Sequence, residues 1–424
     1  MNRFVRNAIA ITCLLFNASV YGQSTSCAAV NLNHADTLIF NCLPNDTCVG
    51  LTAVLPDIRQ TANTANAYLV QSVPYTGHYP FQMTGATQVL VNQDDAYSGV
   101  INLPFTFCFY GGQYNQIVIG ANGTLSFHEL YANQSCGFEM CSNGTWYPGP
   151  ANPGIPNNFS SSQWGWDSYP RNAIFACFQD IDPSLPAVNK GIEWKLEGTA
   201  PCRKLIVNWR NIPQFSCTSN TTTFQCVLYE NTNAIEIYVA EKPACTTWNC
   251  GYAVIGVQND ARTQAVAAPG RNGAVWTTNT SNSEGWRFIP NGPSLLQQVS
   301  LLNASNQTVS IGTVAVSSPG QLTASFANAC VGGVAGDIAK YYVKADYISC
   351  SNPMNGFGAL DSIVLIKNPI TPSPTTSTIT YCQNQATVPL TASGTNLKWY
   401  TTATGGVSTL TPPTPSSATV GTFT

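Results

Sequence analysis

Between Gln88 and Pro290 the sequence consists of short apolar segments separated by turns, and in several of them apolar and polar residues alternate. Examples are "YNQIVIGANGTLSF", "RKLIVNWRNI" and "NAIEIYVAEK". A period of two is typical of half-buried β-strands. Asn122-Gly123 between two apolar runs predicts a tight hairpin, because both residues tolerate positive φ. A second hairpin is predicted in "VLYENTNAIEIYV". This succession predicts an all-β fold.

Changes in pattern along the chain predict several domains. We expect a signal peptide at residues 1–22, a small Cys-containing cap at 23–87 and a large β domain at 88–290. An Ig-like β-sandwich at 291–368, a Pro/Thr linker at 369–378 and an incomplete Ig-like repeat at 379–424 follow. Within the cap, "DIRQTANTANAYLVQ" is the best helix candidate in the chain.

The N-terminus carries the features of an export signal. Two arginines precede the apolar run "NAIAITCLLFNASV", and small residues follow it, as in a secretory leader. Lipidation at Cys13 is the alternative. No later segment approaches the ~20 apolar residues of a membrane helix. We therefore expect a secreted protein, extracellular or at a cell surface, with no transmembrane segment.

Surface composition excludes one class of partner. Charged residues make up only 9% of the chain and the net charge is −3, without a basic cluster. A nucleic-acid partner is therefore not expected.

Sixteen cysteines are present. In an exported chain they are expected to form disulfides rather than to stay as thiols. Zinc is the alternative for the two closely spaced pairs, but zinc sites need two such pairs together or nearby histidines, and no histidine is close in sequence. Local spacing predicts three disulfides: Cys136–Cys141, Cys245–Cys250 and Cys330–Cys350.

Several motifs resemble known families. "IVIGANGTLSF", "AIFACFQDIDPS", "TTFQCVLYE" and "AVIGVQND" resemble the nidogen-like extracellular domain. The span from about residue 40 to 290, including "LPFTFCFYGG" and "VNWRNIPQFSC", is similar to the N-terminal region of large secreted surface proteins of Bacteroidota. Those proteins carry gliding-motility-associated or sorting domains at the far C-terminus. The resemblance implies a nidogen-like β-rich domain followed by Ig-like β-sandwich modules.

The last segment, "YCQNQATVPLTASGTNLKWYTTATGG", resembles an Ig-like repeat of the same surface proteins. In that repeat an aromatic strand and a second cysteine follow. We therefore expect this chain to be the N-terminal part of a longer protein, with Cys382 unpaired and with surface attachment through a missing C-terminal region.

One long segment, Cys136–Pro170, has no periodicity and is rich in proline and tryptophan. Loops of this length in compact domains are usually functional or flexible. Trp146, Tyr147, Trp164 and Trp166 are candidates for stacking on a sugar ring or a protein ligand. The alternative is that these rings fold back and cover an open end of a sheet.

Two pairs of aspartates are candidate calcium ligands. Asp94 and Asp95 stand in "NQDDAYSG", and Asp180 and Asp182 in "QDIDPS". Hard oxygen ligands crowded on a turn suit Ca²⁺. The alternative is that these carboxylates cap turns through their own backbone. Apart from calcium, no cofactor is expected.

Enzyme motifs are not evident. The sequence has no G-x-S-x-G elbow, and "HELYA" at His128 has alanine where a zincin has its second histidine. We therefore expect a non-catalytic surface protein that binds an extracellular glycan or protein, with a role in adhesion. The alternative is a carbohydrate- or protein-binding accessory region of a longer secreted enzyme.

Overall fold

The structure is a computed structural model that describes residues 29–40, 47–75, 79–142, 148–350, 356–368, 374–394, 397–400 and 406–420. The described part is almost entirely β, as predicted. Its first strands are β1 (Asn31–Leu32), β2 (Thr37–Phe40), β3 (Cys48–Pro56), β4 (Tyr68–Val73), β5 (Thr87–Val89), β6 (Ile101–Phe109), β7 (Gly112–Gly120) and β8 (Thr124–Ser126). The middle strands are β9 (Ala173–Phe178), β10 (Gly191–Glu197), β11 (Lys204–Pro213), β12 (Thr221–Tyr229), β13 (Ile235–Glu241), β14 (Ala253–Gln258), β15 (Ala265–Ala274) and β16 (Glu284–Pro290). The last strands are β17 (Leu296–Asn303), β18 (Thr308–Ile311), β19 (Thr313–Ser318), β20 (Gln321–Cys330), β21 (Ile338–Tyr347), β22 (Phe357–Lys367), β23 (Thr375–Thr376) and β24 (Ala392–Ser393).

The described residues contain two single-turn 3₁₀ helices, η1 (Glu129–Tyr131) and η2 (Asn249–Gly251), and no α-helix. The helix expected in "DIRQTANTANAYLVQ" is therefore wrong: the segment is extended and irregular, and its end forms β4. Polar residues of this segment make loop contacts instead. For example, Nε of Arg59 lies 2.7 Å from Oδ2 of the buried Asp57. No described helix is long and apolar enough to cross a membrane.

Two large antiparallel sheets form the main body of the chain. One has seven strands in the order β4-β16-β13-β12-β11-β10-β5, and the other has six in the order β15-β14-β9-β8-β7-β6. One hydrophobic core takes residues from both sheets, including Ile117 and Ile119 of β7 and Trp209 of β11. Trp209 stacks on Phe224 at 4.9 Å and donates its indole N–H to the carbonyl of Gly120 at 3.1 Å. This bond satisfies the indole inside the core and joins the two sheets.

Both predicted hairpins are present. β7 and β8 pair antiparallel around residues 121–123, and β12 and β13 pair around residues 230–234. Gly123 has a φ of 80°, and a Cβ there would lie 2.6 Å from the carbonyl oxygen of Cys177. Glycine is therefore required at this turn for both conformation and space.

Smaller sheets combine strands from both ends of the chain. One has the order β1-β3-β20-β19, and in another β18, β17, β21 and β22 are neighbours in that order. The division predicted from sequence places β3 in the cap (23–87) and β20 in the Ig-like block (291–368). In the structure they are adjacent strands of one sheet. Neighbouring strands in a sheet are often far apart in sequence.

The chain divides into two compact units. The first reaches to Asp36 and includes Gly50–Ala329 and Lys340–Ile363. The second comprises Thr37–Val49, Cys330–Ala339 and the residues from Val364 onward. In the second unit, β2 pairs in parallel with the end of β22, and Cys48 is bonded to Cys330.

Candidate functional site

The four candidate aspartates come from two loops that the fold brings together. Asp94 and Asp95 lie in the turn after β5, and Asp180 and Asp182 lie just beyond β9. One carboxylate oxygen from each of Asp94, Asp95 and Asp180 lies within 4.8 Å of the others. Asp182 accepts a hydrogen bond at 2.7 Å from the backbone N–H of Ser184, so it caps a turn. The acidic cluster is therefore Asp94, Asp95 and Asp180, with Asp182 beside it.

Asn122 of the β7–β8 hairpin fixes the cluster. Its fully buried side chain donates to Asp95 Oδ1 at 2.8 Å and accepts from the N–H of Ile181 at 3.0 Å. One amide thus ties the first aspartate loop to the second. The β7–β8 hairpin holds Asn122 in a buried turn, and Asn122 in turn keeps the two aspartate loops together.

Electrostatics favour a neutral or cation-bound cluster. Burial raises the pKa of Asp94 to about 6, and the charge of Asp182 adds to the effect. Burial and the charge of Asp94 raise the pKa of Asp95 to about 7, against the hydrogen bond from Asn122. Burial and Asp95 also raise the pKa of Asp180 well above its usual value. Within the described residues none of these three carboxylates forms a salt bridge.

Beside the acidic cluster lies a group of aromatic side chains that we call the aromatic face: Phe138, Trp164, Trp166, Phe215 and Trp248. Trp164 and Trp166 are stacked, with ring centroids 5.1 Å apart and planes inclined by 20°. Phe138 lies under both indoles and 6.3 Å from Trp248, which in turn contacts Phe215 at 4.8 Å. Trp164 is 41% exposed.

The base of the aromatic face is firmly held. The indole N–H of Trp166 donates to both oxygens of Glu139 at 3.1 Å, and the Ser168 hydroxyl donates to Glu139 at 2.7 Å. Glu139 is fully buried. Trp166 is thus fixed to the protein, whereas Trp164 leaves much of its ring exposed. Trp146 and Tyr147 lie outside the described residues.

Trp248 connects the aromatic face to the acidic cluster. Its indole N–H donates to Asp180 Oδ2 at 2.6 Å. The adjacent Asn249 accepts from the N–H of Met140 at 3.2 Å and donates to the carbonyl of Phe138 at 2.9 Å. One carboxylate of the acidic cluster therefore also holds a ring of the aromatic face.

These features lie inside a segment that matches a known family. The family model described as NIDO related matches residues 71–293, more than half of the 424-residue chain. The chain belongs to the NIDO-related family. Among curated proteins, Nidogen of Drosophila melanogaster is similar, with 29% identity over 216 residues. That alignment covers 49% of this chain but only 15% of the nidogen, so the chain spans a small part of that relative's length. No solved structure matches the chain.

Disulfides of the NIDO-related domain brace the aromatic face, but not as the sequence predicted. Cys141 is bonded to Cys250, and Cys217 is bonded to Cys245. The predicted Cys245–Cys250 bond is therefore wrong: the two residues flank Trp248, and each is bonded to a different loop. The predicted Cys136–Cys141 bond is wrong as well, because Cys136 is buried in the core as a free thiol.

The third predicted disulfide, Cys330–Cys350, is also wrong. Cys330 is bonded to Cys48 over 282 residues, and Cys350 is bonded to Cys108 over 242 residues. Sheet pairing brings chain ends together, so a cysteine's partner is not its neighbour in sequence. Cys202 is disulfide-bonded too.

Four cysteines of the described residues are free thiols: Cys136, Cys177, Cys226 and Cys382. Only Cys382 is exposed. Burial raises the pKa of the Cys177 thiol to about 12 and that of Cys136 well above its usual value. The expectation that an exported chain pairs its cysteines fails here, because Cys177 and Cys226 behave as small apolar side chains in the core.

Sequence reasoning missed several residues of the site. Phe138 and Glu139 carried no signal, and Asn122 was predicted only as a hairpin residue, because their roles depend on partners elsewhere in the fold. Trp248 had a weak signal: a large aromatic residue in "CTTWNC" stands between two cysteines that are bonded to other loops.

Proposed function

We propose that the NIDO-related domain is an extracellular, non-enzymatic binding module that recognises its ligand through the aromatic face. The observation that carries the proposal is the exposed stack of Trp164 on Trp166 above a base fixed by Glu139. Large aromatic rings usually bury much of their surface. Stacked rings held at the surface offer a large contact area with little side-chain entropy left to lose.

Extracellular location is supported by the similarity to nidogen and by the disulfides, which persist in oxidising compartments. The finer proposal is adhesion or display at a cell surface, as in the surface proteins of Bacteroidota that the sequence resembles. In that arrangement Ig-like modules at residues 291–368 and 379–424 carry the domain.

The ligand is proposed to be an extracellular glycan or a protein. Sugar rings stack their C–H faces on indoles, and protein hot spots favour tryptophan. Around the face, the exposed residues Ser162, Gln163, Thr246 and Thr247 are polar and uncharged. Such a rim suits hydroxyl-rich or neutral ligands better than strongly charged ones.

The test is a glycan array and a whole-cell binding assay with the full chain, in which Trp164 and Trp166 are both replaced by alanine. We expect binding to be lost together with some stability, because Trp164 is substantially exposed whereas replacing Trp166 removes the indole donor of the buried Glu139. Tyr400→Ala, at a 50% exposed aromatic residue outside the family match, is the control and should bind normally. Full binding by the double variant would overturn the proposal, and a large loss of stability with binding retained would make the rings structural.

Calcium at the acidic cluster is a second proposal, favoured by one specific observation. Three carboxylates within 4.8 Å, two of them with pKa values raised to about 6 and 7, share no basic partner among the described residues. A hard cation offsets this repulsion. Isothermal titration of the chain with Ca²⁺ should show saturable heat that Asp95→Asn removes. No heat at millimolar Ca²⁺ would leave the aspartates as turn residues and proton acceptors.

A further inference from the structure

Strands β18 and β19 are end strands of two different sheets. β18 is the end strand next to β17, and β19 is the end strand next to β20. All six residues of β19 are exposed, and Val316 is 65% exposed. In the described part of the chain no strand pairs with the outer side of β19. Its backbone N–H and C=O groups on that side are therefore open to another strand.

This edge lacks the usual protection. Natural edge strands carry charges, especially lysine, or proline, or a bulge that bends the edge away. Residues 288–336 contain no Asp, Glu, Lys or Arg at all. Pro319 is in the turn after β19 rather than in the strand. The one irregularity of the β19–β20 ladder lies between Val316 and Ser318, next to that turn, and leaves Thr313–Val316 regular.

We infer that β19 pairs antiparallel with β19 of a second copy of this chain, around a two-fold axis at Ala315. In this register Val314 of each copy lies opposite Val316 of the other copy. Thr313 of each copy likewise lies opposite Ser317 of the other. Two alanines meet at the axis, where small side chains allow close approach. Directly opposed β-branched and hydroxyl-bearing pairs stabilise antiparallel strands. The four-stranded sheet of each copy becomes half of a continuous eight-stranded sheet.

A second copy fits better than an unrelated strand because the pattern is complementary to itself. A charged partner would lose hydration on docking, and an uncharged edge offers no ion pair that compensates for this loss. The contact is small: six residues span about 20 Å. A single strand pair of that length buries less surface than the ~1,200 Å² of a stable specific interface. The dimer is therefore weak and concentration-dependent, and it does not involve the aromatic face.

Sedimentation velocity over a concentration series tests the dimer, using the full chain with Cys382→Ser to prevent bonding through the exposed thiol. We expect a monomer–dimer equilibrium with a Kd weaker than about 1 μM. Val316→Lys should weaken it at least tenfold with an unchanged melting temperature. Val188→Lys, at a valine that is 82% exposed in a loop, is the matched control and should leave it unchanged.

The register is tested separately by cross-linking. In the Cys382→Ser background, Ala315→Cys should form an intermolecular disulfide on mild oxidation, whereas Val188→Cys should not. A chain that stays monomeric at millimolar concentration overturns the inference. A dimer that Val316→Lys leaves intact, or equal cross-linking at positions 315 and 188, overturns it as well.

Discussion

At the scale of single residues, Asp95 lies among acidic groups. It is held by Asn122 and faces Asp94, Asp180 and Asp182, with Glu139 contributing a further repulsive charge. Each of these groups is an acid or a neutral amide. The folded state therefore favours the protonated form of the cluster unless a cation is bound.

This predicts an unusual pH dependence of stability. The pKa values of Asp94 and Asp95 rise from 3.8 to about 6 and about 7 on folding. At pH values between 3.8 and these raised pKa values, the folded state therefore binds more protons than the unfolded state. The contribution of these two groups to the free energy of unfolding is fully present below about pH 4. It is lost as the pH rises through about 6 to 7. With a chelator present, the melting temperature should fall between pH 5 and pH 7.5.

Differential scanning calorimetry measures this effect. A domain of this size loses about 2–4 °C in melting temperature per kcal/mol. Asp95→Asn should flatten the profile, and millimolar Ca²⁺ should restore the melting temperature at pH 7.5. Asp260→Asn, at a side chain 59% exposed beside His128, is the control and should keep the wild-type profile. A melting temperature that rises from pH 5 to 7.5 in chelator would contradict the raised pKa values.

At the scale of elements, local patterns predicted the strands but not their partners. The segments "NAIEIYVAEK" and "RKLIVNWRNI" became β13 and β11, because a period of two is a local property. The convergence of Asp95 with Asp180 depends on which strands are adjacent, and that information is spread over the whole domain. The same limit explains the wrong cysteine pairs: spacing favoured a neighbour, while the sheets placed Cys141 next to Cys250.

The two disulfides beside the aromatic face should differ in their effect on stability. Cys141–Cys250 closes a loop of 109 residues, and Cys217–Cys245 closes one of 28. In the chain-entropy account the longer loop contributes more, up to about 4–5 kcal/mol against about 3.5 kcal/mol. Replacing both cysteines of the first pair by serine should therefore lower the free energy of unfolding more than the same change in the second pair.

Chemical denaturation monitored by tryptophan fluorescence gives both free energies. Non-reducing peptide mapping should first find the Cys141–Cys250 and Cys217–Cys245 peptides. Detection of a Cys245–Cys250 peptide instead would reinstate the local pairing. Equal losses for the two pairs would show that native packing, rather than loop closure, sets the effect.

At the scale of the whole molecule, the described residues combine disulfides with three free thiols that are buried in the core. Cys136, Cys177 and Cys226 are at most 1% exposed, and burial raises the pKa of each thiol. Because the thiolate is the reactive form, these residues are protected twice, by inaccessibility and by protonation.

Alkylation should therefore distinguish two classes of thiol. In the native protein at pH 8, iodoacetamide should modify Cys382 and spare the three buried thiols. In denaturant without reductant, all four should react, and mass spectrometry of peptides locates each label. Rapid labelling of Cys177 or Cys226 in the native state would contradict the packing of the core.

The bond between Cys108 and Cys350 has a consequence for disulfide formation during synthesis. A chain grows from its N-terminus at about 5–20 residues per second, so Cys350 follows Cys108 by an interval on the order of 10 to 50 s. During that wait Cys108 meets Cys136, Cys141 and Cys177, which emerge earlier than its native partner. Disulfides form and rearrange over seconds to hours, so early mispairing competes with the native bond. Production of this protein should therefore depend on an enzyme that reshuffles disulfides after synthesis is complete.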